Sequence, residues 1–200
     1  MSTPQEQRDA DRPPTLKDPE ISAFLAWLIP GLGHLYQGRR AKAAIYFVCI
    51  MGLFCYGVYL GSAREIGWGR VVYFSRSPAR LPYICQLGVG IPAMPALVQA
   101  YRMNNNKEVL WGGFMAPPWE KDKPFGQAVA NMDQPTIHEV HLRLARFFEL
   151  GTVFTLIAGL LNILAIFDAY AGPVLLVDRR KSETEAEEEA PADAPAASPA

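Results

Sequence analysis

No charged side chain interrupts residues 43–61, and a second run, residues 150–177, holds only Asn162 and Asp168 as strongly polar groups. A helix rises about 1.5 Å per residue and the hydrocarbon layer of a bilayer is about 30 Å thick, so roughly 20 mostly apolar residues suffice to cross it. Two more apolar stretches approach that length. Residues 82–101 are apolar but carry Pro92 and Pro95, and residues 21–36, reading ISAFLAWLIPGLGHLY, are shorter and interrupted by Pro30. The fold class this predicts is all-α: a small polytopic transmembrane helical bundle of about four spans with disordered termini. Three crossings is the rival count, with residues 21–36 as a half-span or re-entrant segment.

Bulk composition conceals this pattern. The chain has 200 residues, 20% of them charged, with a net charge of −1 and a mean hydropathy of +0.04, figures that fit an ordinary soluble domain. The charge is segregated into the first 20 residues, the loops and the last 23, and no nucleic-acid partner is expected. Residues 1–20 are polar throughout, so a cleaved secretory signal is not indicated and the first apolar segment reads as a retained signal-anchor. Cys49, Cys55 and Cys85 all lie within apolar runs, with no C-x-x-C spacing and no even count, and read as small buried hydrophobes.

Along the chain, residues 1–17 form a polar tail with almost nothing to bury, predicted to be disordered. Order is expected to begin at Asp18, Pro19 and Glu20, an N-cap, a first-turn proline and a first-turn carboxylate. Residues 18–61 then read as a helical hairpin turning at the basic GRRAK. Residues 62–81 carry Arg64, Arg70, Arg76 and Arg80 around Trp68, Tyr73 and Phe74, the composition of an interfacial loop. A proline-broken span over 82–102 precedes a long loop, 103–134, whose Trp111, Phe114 and Trp119 are expected among the headgroups. From Pro135, Ile137, Val140, Leu144 and Phe147 repeat with helical period, predicting over the segment 135–177 an amphipathic helix that runs on into the last span, one rod of about 35 residues ending near Gly172 and Pro173. Residues 178–200 are an acidic, alanine- and proline-rich tail, predicted to be unfolded. Lys and Arg divide ten against nine across four crossings, which gives no orientation, and twelve against seven if the first segment is re-entrant, which favours a cytoplasmic N-terminus and an external C-terminus; with four crossings, two polar tails that need no translocation favour both termini in the cytoplasm.

The run from Pro30 through Gly31, Gly33, His34, Tyr36 and Gly38 to Arg39 resembles the TM-two domain, a two-helix membrane hairpin with a G-x-G-x-H-x-F-Y-x-G-like pattern at the end of its first helix. One or more residues of that spacing are missing here, and the aspartate that the pattern places late in the second helix is absent between Ala43 and Gly61. The phrase Ile166-Phe167-Asp168 stands in the last span instead. The chain therefore resembles uncharacterised bacterial membrane families that elaborate such a hairpin with further spans. The resemblance implies a multi-pass location in a bacterial inner membrane and no known reaction.

Asp168 is the first candidate for function, because an ionisable group at membrane depth is costly and faces a partner, a cavity or a pathway. Asn162 lies under two turns away, and His34 or Arg39 is a potential partner if the first and last helices pack together. A satisfied pair is the plain reading, and a proton or ion relay the sharper one. Pro30, Pro92 and Pro95 mark helix breaks, which packing or a binding site can exploit. Gly57 with Gly61, and Ala165 with Ala169, form small-x-x-x-small steps suited to close helix contact. His138 and His141 lack the H-E-x-x-H pattern and read as a solvated helix face, so neither a metal nor another cofactor is expected. The expectation for function is a non-enzymatic membrane scaffold or interaction protein, partnered by the lipid bilayer, a second copy or another membrane protein. The alternative is a small transporter or channel accessory using Asp168 and Asn162.

Overall fold

A computed structural model describes residues 18–75, 80–119 and 134–172. Both predicted disordered tails, and most of the loop after Trp119, lie outside these residues. The described residues form seven α-helices and no extended strand: α1 (Pro19–Leu28), α2 (Leu32–Tyr36), α3 (Arg40–Leu60), α4 (Leu81–Gln86), α5 (Met94–Asn104), α6 (Ile137–Leu144) and α7 (Arg146–Ala171).

Helices α3 and α7 form the frame and run antiparallel. At one end Lys42 and Tyr46 of α3 meet Asp168 of α7. At the other, a Cβ on Gly57 would stand 2.7 Å from Thr155 Cγ2 and 2.8 Å from the Gly151 carbonyl oxygen, so the backbones touch where neither has a side chain. The buried stripe of α7 is Phe148, Gly151, Thr155, Ala158, Gly159, Asn162, Ala165 and Ala169. Its exposed face carries Leu150, Val153, Ile157, Leu160, Leu164 and Phe167. The helix thus buries small and polar groups and turns its large apolar ones outward, the reverse of a helix on a water-soluble core.

These two helices, of 21 and 26 residues, are long and apolar enough to cross a membrane, and only 22% and 33% of their most apolar windows are buried. The four crossings expected from sequence reduce to two helices of that length among the described residues. The other two apolar stretches fold as short hairpins. In the first, α1 starts at Pro19 as its sequence predicts, although Asp18 makes no side-chain cap bond. The chain then reverses through Ile29, Pro30 and Gly31, whose φ of 83° suits glycine. A Cβ on Gly31 would also collide with the Ala43 carbonyl, so this turn is pressed against α3. Ser22 Oγ donates to the Gly33 carbonyl at 3.1 Å and ties α1 to the returning α2.

The second hairpin replaces the proline-broken span. Arg80 Nη2 donates to Thr152 Oγ1 at 3.2 Å, Gln86 Nε2 to Thr155 Oγ1 at 2.7 Å and Asn162 Nδ2 to the Gly88 carbonyl at 2.8 Å, so α4 descends beside α7. The helix then tightens to a 3₁₀ turn at Leu87–Val89 and breaks at Gly90, with φ 84° and ψ −132°, before a second 3₁₀ turn, Ile91–Ala93. The chain returns the way it came. Tyr83 Oη bonds the Ala93 carbonyl at 2.9 Å, and Gln99 Nε2 bonds the Leu110 and Phe114 carbonyls beside the loop that holds Gly69. The break belongs to Gly90; Pro92 and Pro95 occupy the first turns of the segments that restart after it, where a missing N–H costs nothing.

The end of the molecule opposite Asp168 is covered by residues 61–75, 110–119 and 134–144. Arg70, 2% exposed, is its hub. Its guanidinium donates to the carbonyls of Ile66 and Ala116 and to Gln134 Oε1, and burial lowers its pKa to about 10. Trp68 and Trp111 are exposed, but Tyr73 is buried and Phe74 meets the Tyr83 ring edge-on, so two expected surface aromatics serve the core. The predicted continuous rod from residue 135 is also corrected. Ala145, at φ 45° and ψ −121°, separates α6 from α7. The turn lets Val140, Leu144 and Phe148 share one core and lays the His141 ring edge-on to Phe148 at 4.5 Å.

Candidate functional site

The residues singled out in the apolar runs gather at two levels of α7. At its C-terminal end, Asp168 Oδ2 lies 2.8 Å from His34 Nε2, 3.4 Å from Arg39 Nη2, 3.1 Å from Lys42 Nζ and 3.3 Å from Tyr46 Oη. One carboxylate is therefore shared by α2, the turn after it and the first two turns of α3. Arg39, Lys42 and Tyr46 follow one another at spacings of three and four, which puts them on one face of the helix start. Sequence reasoning found His34 and Arg39 and missed Lys42 and Tyr46, although that spacing was legible.

His34 is fully buried, and its Nδ1 has no hydrogen-bond partner among the described residues. The tautomer with its proton on Nε2 donates to Asp168 and leaves only a lone pair at Nδ1; an imidazolium would bury an unanswered N–H there. The positive charge around the carboxylate is thus that of Arg39 and Lys42. Gln37 adds a further clamp, its Nε2 donating to the Ala169 carbonyl at 2.5 Å. The α2–α3 corner is bound to α7 through side chains.

Under two turns deeper, Asn162 is fully buried and its Nδ2 donates to the Ala26 carbonyl at 3.1 Å and the Gly88 carbonyl at 2.8 Å. Those carbonyls belong to the last turn of α1 and to the tip of the second hairpin. The tips themselves meet, since a Cβ on Gly90 would stand 2.8 Å from the Leu28 carbonyl oxygen. One amide on α7 therefore answers backbone groups freed by both interruptions, as buried irregular backbone requires. Asn162 Oδ1 has no partner among the described residues.

Gly57 faces α7, and Gly61, whose own Cβ would meet Val71, also borders α7, its backbone nitrogen 3.2 Å from where a Cβ on Gly151 would stand. Ala165 and Ala169 are fully buried on the inner face of α7, and Pro30 lies buried in the α1–α2 turn. His138 is exposed on α6, and no group of three metal-ligating side chains occurs among the described residues. Gln86, Thr155 and Arg70, which organise the interior of the opposite end, carried no signal in the sequence because an uncharged Gln or a loop Arg is ordinarily solvated.

Fold and site together define a small all-α protein whose two longest helices have the length and apolar surface to cross a membrane, braced by two interrupted hairpins. Residues 21–182 match the Family of unknown function (DUF6677), and the chain belongs to that family. No curated protein and no solved structure matches it.

Proposed function

We propose that the protein is a non-enzymatic integral membrane protein that scaffolds or binds partners, with α3 and α7 crossing the bilayer and the two hairpins entering it from opposite faces. The observation that carries this reading is how the polar groups at depth are employed. Asp168 is neutralised by Arg39 and Lys42, and Asn162 spends its two donors on backbone carbonyls. Groups so committed hold a shape and leave little to a substrate. In the same reading the membrane is a bacterial cytoplasmic one, and the corner at residues 30–39 is kin to the TM-two hairpin. The test is affinity capture of the full chain from mild detergent with quantitative mass spectrometry. A reproducible stoichiometric protein partner, or a stable homo-oligomer, is expected; a monodisperse monomer that retains neither refutes the reading.

A second reading, a small transporter or channel accessory, is favoured by one feature. Two hairpins that dip from opposite ends and meet beside Asn162 resemble in outline the broken helices that flank transporter sites. Solute or ion flux in liposomes that falls in Asp168→Asn would establish it, and equal background leakage from both proteins would reject it.

A further inference from the structure

We propose that the corner between the α1–α2 turn and α3 is a binding site for one acyl chain of an anionic glycerophospholipid, with the lipid phosphate held by Arg40. The proposal rests on the membrane placement of α3 and α7 and names a ligand for it. An open groove of about 330 Å³ runs here between Ile29, Pro30 and Leu35 on one wall and Ala43, Ala44 and Phe47 on the other. Its volume is at the lower end of the range for sites that seat small ligands, about 300–1,000 Å³. The groove exists for local reasons. Gly31 brings the turn against the α3 backbone, and two successive alanines leave the floor low between the bulkier Leu35 and Phe47.

Charge at the mouth argues for the occupant. Arg40 lines the groove on the first turn of α3, is exposed, and has no side-chain partner among the described residues, whereas Arg39 and Lys42 turn to Asp168. No acidic residue occurs from Gly31 to Ser62. A guanidinium lining an open apolar trough at the end of a membrane-length helix matches a ligand with a phosphate at one end and a hydrocarbon chain at the other. A zwitterionic lipid offers the same chain without net charge and is the natural comparison.

The experiment is native mass spectrometry of the full chain in detergent, titrated with dioleoylphosphatidylglycerol or dioleoylphosphatidylcholine. Wild type is expected to retain one phosphatidylglycerol saturably, about fivefold more tightly than phosphatidylcholine, the factor set by one basic side chain at a membrane surface. Arg40→Gln, which breaks no internal bond, should erase that preference, and Ala44→Trp, which fills the floor, should abolish saturable retention of both lipids. Arg64→Gln removes a charge from the opposite end and should change nothing. Unchanged phosphatidylglycerol binding in both groove variants overturns the proposal, as does displacement of the lipid by millimolar glycerol 3-phosphate alone. A shift from dimer to monomer in Ala44→Trp with lipid retention intact also overturns it, in favour of a second copy as occupant. Failure of this test in a protein that still needs detergent sinks the lipid site alone; dispersal without detergent sinks the membrane reading beneath it.

Discussion

Asp168 and Lys42 differ in what their removal leaves behind. Asp168→Asn deprives Arg39 and Lys42 of their shared counter-charge in a partly buried setting, and a loss of about 2 kcal/mol is expected. Lys42 is 46% exposed and can return to solvent, so Lys42→Gln should cost less than about 1 kcal/mol. Asn162→Leu leaves the carbonyls of Ala26 and Gly88 without their donor and should cost about 2 kcal/mol or more, although it enlarges the apolar surface. Thermal unfolding in a single detergent checks the order: Asn162→Leu and Asp168→Asn low, Lys42→Gln near wild type. These residues were legible because a polar group in an apolar run must be answered by something. Arg70 was not, since its cage of carbonyls is assembled from residues 4 to 64 positions away and has no local pattern.

Elements follow sequence where a signal is local. Helix α6 begins at the capping box of Thr136 and Glu139, each side chain answering the other's backbone N–H. Those bonds from Thr136 hold the Glu139 carboxyl below the ordinary glutamate value of 4.5. The unfolded segment therefore binds its proton more readily, so the cap's contribution is complete above that value and is lost as pH falls through the lowered one. Hydrogen exchange at Val140 should accelerate in that acid window in wild type and show no such step in Glu139→Gln. The glycines of α3 separate by environment in the same manner. A methyl group added at Gly52 would meet nothing within 4 Å, so Gly52→Ala should be neutral or stabilising by up to about 1 kcal/mol, while Gly57→Ala meets α7 and should destabilise by about 1–3 kcal/mol. Denaturation midpoints of the two variants on opposite sides of wild type would confirm this. The reversals at Gly90 and the turn at Ala145 were illegible for a common reason: both are fixed by what the flanking segments pack against, and Ala145 lacks even a glycine or proline to announce it.

At the scale of the molecule, the two crossings proposed above would put the Asp168 end of α7 on one face and the cap around Arg70 on the other. Lys and Arg then divide nine against ten, so charge again assigns no orientation. Cys49 and Cys55 offer a direct probe of the surrounding solvent, being exposed on the outer face of α3. In liposomes both should resist a water-soluble maleimide and react only after the protein is denatured; rapid labelling of the intact protein would place that face in water. The stitching by Asn162 and Asp168 carries a consequence for biogenesis. Both of these fastening points lie on α7, the last of the described helices, so their bonds to the α1–α2 hairpin and the corner behind it form only once that helix is made. A truncation before α7 would therefore strip the front of the protein of its bonds to the Asp168 carboxylate and the Asn162 amide along with the helix itself.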